Sequence, residues 1–185
     1  PAPRAADAAK TTEQDDAEDQ QRRGGAPAGG ATKKEFGTDL VLRDLTKTEN
    51  GERVFASVSE YSFPRDGKVL VYAVSSKKEE ENGLFSAVPG SDAASVALAS
   101  GKGKYSKLAW DREQSQLALF FEKSALLWDR KGSAATEAVG AGTIGIPSGM
   151  VVSDKGALSF SRDGKRLFVP VAPPASPVPV KVKRV

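Results

Sequence analysis

Apolar residues fall into short runs separated by turn-forming residues, and this pattern is confined to the middle of the chain. The runs lie at residues 40–45, 53–58, 69–74, 84–88 and 117–121. Short apolar runs between turn signals are typical of strands rather than of helices. Two of them, 69–74 and 117–121, are apolar at nearly every position, so we expect both faces of these strands to be covered. The pattern predicts an all-β fold.

Dipeptides that favour turns stand between the predicted strands. Asn50-Gly51 and Asn82-Gly83 tolerate the positive φ that a tight hairpin requires. Asp66-Gly67 and Asp163-Gly164 supply two further turn signals of the same kind. We therefore expect tight turns at these four places.

A segment of ten residues occurs three times without gaps, at residues 63–72, 110–119 and 160–169. Each copy opens with an aromatic residue, followed three positions later by an acid and seven positions later by Leu. The opening aromatic recurs after 47 and then 50 residues. The repeat and the Trp-Asp end of a following strand give these candidate structural residues: Phe63, Asp66, Gly67, Leu70, Trp110, Leu117, Trp128, Phe160, Asp163, Gly164 and Leu167.

The middle copy departs from the other two inside its turn. Gln114 and Ser115 stand where the other copies have Gly and Lys. Gly adopts a positive φ without steric cost, whereas a residue with a side chain rarely does. We therefore expect the backbone of the middle turn to differ.

The length of the repeat predicts the architecture. A unit of about 40 to 50 residues with four short strands has the size of a β-propeller blade, which buries both faces against its neighbours. The sequence therefore predicts a partial β-propeller of about three four-stranded blades over residues 37–171. Its units would be a partial blade at 40–58, whole blades at 60–99 and 105–139, and a further partial blade at 157–171.

Such a piece would be incomplete by itself. Closed propellers usually contain about four to eight blades, so we expect the chain to be a fragment of a larger protein. In the isolated fragment, apolar faces such as that of residues 69–74 would lack a neighbour and promote self-association.

The two ends of the chain have a different composition. Residues 1–36 are rich in Ala, Gly, Pro, Gln and charged residues without an apolar period, which predicts a disordered linker or loop. A short helix could form within residues 11–21, but it would be marginal in water. Residues 172–185 combine four Pro residues with Lys and Arg, which predicts an extended, basic tail.

The chain contains few residues of the kinds that serve in catalysis or metal binding. It has no His and no Cys, and the Gly-x-Ser-x-Gly pattern of serine hydrolases is absent. We therefore expect no catalytic residue, cofactor or transition-metal site, and no enzymatic activity of the chain alone. Residues 140–145 match Gly-x-Gly-x-x-Gly, but Pro147 follows at once, so a loop is expected rather than a phosphate site.

Charge and hydropathy also limit the kinds of partner that we expect for the chain. The formal net charge is +3, with cations scattered among acids, which is weak support for a nucleic-acid surface. No apolar stretch approaches the roughly 20 residues that cross a bilayer. We expect no nucleic-acid partner and no membrane span.

Several segments resemble a known family in their order along the chain. YSFPRDGKVLVYAV at residues 61–74 and LSFSRDGKRLFVPVAPP at 158–174 look like the hairpins of WD-repeat-like and TolB-like propellers. With LVLRDL, GKGKYSKLAWD and LLWD, the ordered set over residues 38–174 resembles the propeller region of bacterial serine peptidases of the prolyl oligopeptidase family.

The resemblance implies a function for the parent protein. Its propeller would lie over a C-terminal α/β-hydrolase domain, absent from this chain, and would restrict which peptide substrates reach the active site. It also suggests a periplasmic or secreted protein. The alternative is a stand-alone propeller that serves as a scaffold for protein–protein contacts, since a fold alone does not define a function.

Overall fold

The computed structural model describes residues 35–49 and 51–174, and these residues form antiparallel β-sheets. The all-β prediction is therefore confirmed. The only helical element in these ranges is a single 3₁₀ turn at Glu79–Glu81. The strands are β1 Thr38–Arg43, β2 Glu52–Ser62, β3 Leu70–Val74, β4 Gly83–Ala87, β5 Val96–Ser100, β6 Tyr105–Trp110, β7 Leu117–Phe121, β8 Ser124–Trp128, β9 Thr136–Val139, β10 Val151–Val152, β11 Ser159–Phe160, β12 Leu167–Phe168 and β13 Val171–Ala172.

The strands form two larger sheets and two small ribbons. The first sheet has the order β1-β2-β3-β4-β5 and the second β6-β7-β8-β9, while β10 pairs with β13 and β11 with β12. Strands β2 to β5 therefore have the same meander order as β6 to β9, and β11 with β12 matches the first two strands of that unit. The sheets do not close on themselves within the described residues, so the propeller and its number of blades remain predictions.

The two larger sheets pack face to face through one apolar cluster. Val71, Ala73, Leu84 and Leu98 of the first sheet contribute to it, together with Tyr105, Leu117, Leu119, Leu126 and Trp128 of the second. The opposite face of β7 packs through Ala118 and Phe120 onto Val152 and Leu158. The continuous apolar run 117–121 is thus explained, because β7 is covered on both faces, as predicted.

A hairpin covers the other face of the first sheet. Strand β2 is bent at Ser57, whose φ is 54°, so its first half pairs with β1 and its second half with β3. The ring of Phe55 lies 4.9 Å from that of Tyr72, although Tyr72 pairs with Tyr61 further along β2. This contact requires the first half of β2 to fold back over β3. Leu40 joins Phe55 in the resulting cluster.

The fold-back changes one expectation drawn from the sequence. Residues 69–74 were expected to expose an apolar face in a fragment, but Leu70, Val71 and Ala73 are 0% exposed. That expectation was wrong because Phe55 and Leu40 of the hairpin pack on the face that would otherwise be open. At residues 58–60, where the sequence predicts a boundary between two units, the pairing of β2 passes from β1 to β3 with an irregularity in register.

The turn expected at Asn82-Gly83 was also wrong. Asn82 has φ −67° and ψ 145°, and Gly83 is the first residue of β4. The Asn82 side chain is buried, accepts a hydrogen bond from Ser76 N at 2.7 Å and donates one to Gly103 O at 3.1 Å. A Cβ at Gly83 would lie 2.6 Å from Ala99 O. Close strand packing, rather than a positive φ, requires Gly at this position.

The remaining predictions concern the chain ends and one loop. Residues 1–34, residues 175–185 and Asn50 lie outside the described residues, as does the predicted short helix. Gly51 O accepts a hydrogen bond from Asp44 N at 2.7 Å, which closes a loop between β1 and β2 that is longer than a two-residue turn. Ala172 pairs with Val151, so strand structure reaches the first residue of the predicted tail.

The packing of the β1–β2 hairpin on the first sheet can be tested by removing the ring of Phe55. We expect Phe55→Ala to lower the free energy of unfolding by about 3–5 kcal/mol, because it leaves a cavity beside Tyr72. Urea unfolding followed by Trp fluorescence measures the loss. Val54→Ala is the matched control, since Val54 is the adjacent residue on the opposite, exposed face and should change stability by no more than about 0.5 kcal/mol. Equal losses in the two variants would contradict the fold-back.

Candidate functional site

The three copies of the repeat come together at one end of the sheets. The side-chain oxygen of Gln114 accepts a hydrogen bond from Arg65 N, and Gln116 Nε2 donates one to Gly164 O at 3.2 Å. The middle turn therefore contacts the turns before and after it. We call residues 63–68, 110–116 and 160–166 the turn row.

The three turns have the same backbone, contrary to the expectation for the middle copy. Gly67 N, Gln114 N and Gly164 N each donate a hydrogen bond to the carbonyl three residues earlier, at 2.9, 3.1 and 2.9 Å. Their φ angles are 61°, 56° and 68°. A left-handed non-Gly residue costs on the order of 1 kcal/mol or more. Gln114 offsets that cost through its side-chain bond to Arg65 N, which a Gly could not make.

Acidic side chains hold the turn row by accepting hydrogen bonds from its backbone. The bond from Lys68 N and the nearby Arg130 guanidinium hold the pKa of Asp66 below its ordinary value. The Ser161 hydroxyl and Lys165 N lower the pKa of Asp163 in the same way.

Two further acids act similarly beside these turns. Asp129, in the loop after β8, accepts bonds from Gly132 N at 2.7 Å and Lys131 N at 3.0 Å, which lower its pKa. Asp111 is buried and accepts bonds from Gln116 N at 2.8 Å and the Ser115 hydroxyl at 3.1 Å. These carboxylates are already occupied within the protein.

Arg130 connects the loop after β8 to the turn row. Its guanidinium pairs with Asp66 at 3.0 Å, donates to Gln114 O at 2.9 Å and lies 5.8 Å from the centre of the Trp110 ring. Sequence reasoning did not identify Arg130, because its acidic partner is 64 residues away and no local spacing signals the contact.

The repeat aromatics have unequal environments. Trp110 packs against the cluster between the two larger sheets, donates a hydrogen bond to Ser62 Oγ at 2.9 Å and lies 6.3 Å from the Trp128 ring. Phe160 packs into the cluster beyond the second sheet. Phe63 is 38% exposed and belongs to none of the clusters.

The repeat leucines and the second Trp lie in the sheets. Leu70 and Leu117 are fully buried, and Leu167 is partly buried against the cluster that contains Phe160. Trp128 is 5% exposed, and its indole N–H donates to Gly132 O at 2.8 Å.

A polar clamp connects the first strands of consecutive units within the strands themselves, close to the turn row. Strand β6 has a bulge at Lys107, whose φ is 57°. The Glu60 carboxylate accepts hydrogen bonds from the two backbone N–H groups that the bulge frees, Lys107 N at 2.6 Å and Leu108 N at 2.8 Å. The Lys107 ammonium in turn donates to Gly156 O at 2.7 Å and to Asp154 O. Glu60 and Lys107 thus hold three successive units together.

A cleft of 340 Å³ lies between the tip of the β1–β2 hairpin and the loop after β4. Arg53 crosses its base and donates to Ser91 O at 2.7 Å and Ala93 O at 2.8 Å. Arg43 pairs with Glu52 at 3.0 Å at the rim. Because both cationic and acidic side chains line it, the cleft does not present a single sign of charge to a ligand.

The described residues contain no group of three or more His, Cys, Asp or Glu side chains arranged to hold a metal ion. Residues 140–145 form an irregular loop, in which Thr143 N donates to Gly140 O at 3.1 Å, and no helix follows it in the ranges described. In the same ranges, no helix is long and apolar enough to cross a membrane.

No protein-family model matches the chain, and no curated protein matches it.

The Glu60 clamp predicts a measurable contribution to stability. In Glu60→Gln one of the two bulge N–H groups loses its acceptor. We therefore expect the free energy of unfolding to fall by about 1 kcal/mol. Urea unfolding measures the change. Glu52→Gln makes the same chemical change at an exposed ion pair and should cost less than about 0.5 kcal/mol. A Glu60 variant no less stable than this control would show that the clamp is unimportant.

The occupied carboxylates predict loss of stability in acid. Because the folded-state pKa values of Asp66, Asp129 and Asp163 lie below 3.8, their contribution is present above that pH and is lost as the pH falls through the lowered values. Thermal unfolding between pH about 5 and about 2 should show this decline. Asp129→Asn should weaken the dependence of the unfolding temperature on pH. Glu113→Gln should not, because Glu113 is exposed and makes no hydrogen bond among the described residues. A profile unchanged in the Asp129 variant would contradict this role.

Proposed function

We propose that this chain is the non-catalytic β-propeller portion of a larger serine peptidase similar to the prolyl oligopeptidase family, and that it gates peptide access to an α/β-hydrolase domain outside the chain. The observation that carries the proposal is the packing of units. A sheet with the order β2 to β5 packs face to face on a sheet with the order β6 to β9, which packs on the beginning of another. Successive sheets stacked in this way are what a propeller requires.

The contacts between units support a gating role in physical terms. The units are joined at two places, through the turn row and through the Glu60–Lys107 clamp within the adjoining strands. Units held at two places resist separation, so a ring built from them would admit substrates according to the width of its channel. Because the chain has no His and no Gly-x-Ser-x-Gly, the proposal assigns the nucleophile and its base to the hydrolase domain.

The proposal is tested on the full-length product of the reading frame that contains this segment. We expect a fluorophosphonate probe to label one serine outside residues 1–185, and the protein to cleave short chromogenic peptides but not long unfolded chains. Heat-denatured protein is the control for specific labelling. Introduced into the full-length protein, Glu60→Gln should raise cleavage of a longer peptide relative to a short one, because it loosens the contact between units.

Several outcomes would overturn the proposal. A reading frame without a hydrolase domain, or a full-length protein that neither labels nor cleaves, would leave a propeller that acts as a scaffold for protein contacts. Equal cleavage of short peptides and long chains by the full-length protein would disprove gating while leaving the peptidase in place.

A further inference from the structure

One side chain recurs in the turn row without a structural reason. Arg65, Arg112 and Arg162 each stand two residues after the repeat aromatic. In each turn this is the second position, directly after the residue whose carbonyl accepts the turn hydrogen bond. All three arginines are exposed.

The turns themselves do not require Arg at this position. The second position of such a turn accepts most residues and favours Pro, which carries no charge. The side chains of the three arginines make no hydrogen bond, ion pair or ring contact within the part of the chain that is described. Arg130 is the opposite case, since its guanidinium is held by Asp66 and Gln114 O.

The acids beside these arginines do not neutralise them by contact. Asp66 and Asp163 are held by the backbone N–H groups of their own turns, Asp111 is buried, and Glu113 is exposed without an ion pair among the described residues. Lys68 and Lys165 add exposed cations at a second repeated position. Because the middle turn touches both others, the three exposed arginines stand on adjoining turns.

We propose that the turn row binds an extended acidic segment of a protein partner, with its carboxylates on Arg65, Arg112 and Arg162. A guanidinium group matches a carboxylate through two parallel hydrogen bonds, and unpartnered arginines are free to form them. The proposal does not depend on the peptidase function, because it rests on this surface alone.

A nucleic acid fits the same surface less well. Acids are interspersed with the cations of the turn row, so it lacks the strongly basic field that phosphate backbones require. Aromatic faces for base stacking are also few: Phe63 is exposed, but the Trp110 ring has Arg130 over it, and Phe160 packs against a core cluster.

Fluorescence anisotropy with the full 185-residue chain tests the proposal. The probe is a fluorescein-labelled peptide of alternating Glu and Gly, and a peptide of alternating Lys and Gly is the reverse-charge control. We expect the acidic peptide to bind, more weakly as salt is added, and the triple variant Arg65→Gln, Arg112→Gln, Arg162→Gln to bind it about tenfold less tightly, equivalent to about 1.4 kcal/mol. Replacing the same three residues by Lys should recover part of the affinity, because charge returns without the paired hydrogen bonds.

A matched variant separates this site from general charge effects. Lys77→Gln, Lys123→Gln and Lys155→Gln remove the same charge from exposed lysines that have no side-chain partner among the described residues. They should weaken binding by less than about threefold, since only long-range attraction is lost. Equal losses in the two triple variants, no binding of the acidic peptide, or tighter binding of a single-stranded oligonucleotide through the same arginines would each overturn the proposal. Circular dichroism of both variants checks that the exposed substitutions leave the fold intact.

Discussion

The structure depends on covering both faces of each sheet. Strands β3 and β7 are apolar at nearly every position, so exposure of either face would leave leucine and valine side chains in water, at a cost of about 1.5–3 kcal/mol for each large side chain. The second sheet meets this requirement by packing between the first sheet and the segment that contains Val152 and Leu158. The first sheet meets it differently, because the chain bends at Ser57 and places Phe55 on the face left open.

Stacked sheets create a second requirement at their edges, where backbone groups freed by bends and bulges need partners. Glu60 supplies two acceptors to the bulge at Lys107, and the Ser57 carbonyl accepts a hydrogen bond from Ser75 N. The Glu60 contact between units therefore occurs where a strand departs from regular pairing. This links apolar packing to the charged residues, since the bulges bend the strands and the side chains of neighbouring units satisfy the freed N–H groups.

Features of the fold that depend on the local pattern of residues could be predicted from the sequence. The two-sided apolar runs at 69–74 and 117–121 and the left-handed Gly67 and Gly164 follow from residue type and spacing, and the structure bears them out. Predictions failed where distant contacts outweigh local preference. Asn82 is extended because its side chain bonds to residues 76 and 103, and Gln114 adopts a conformation typical of Gly because its side chain reaches the preceding turn. The bend at Ser57 has no local signal.

Within the turn row, the repeated positions divide into those that build the turn and those that do not. The third position holds an acid in each copy, and in the outer copies, Asp66 and Asp163, its carboxylate bonds to the backbone. The fourth position takes the positive φ, either as Gly or, at Gln114, with a compensating bond. The second position neither bonds to the backbone of the turn nor takes a positive φ, yet it holds Arg in all three copies. A side chain that the fold does not use, repeated at one place on touching turns, is explained more simply by a ligand outside the chain than by the stability of the chain itself.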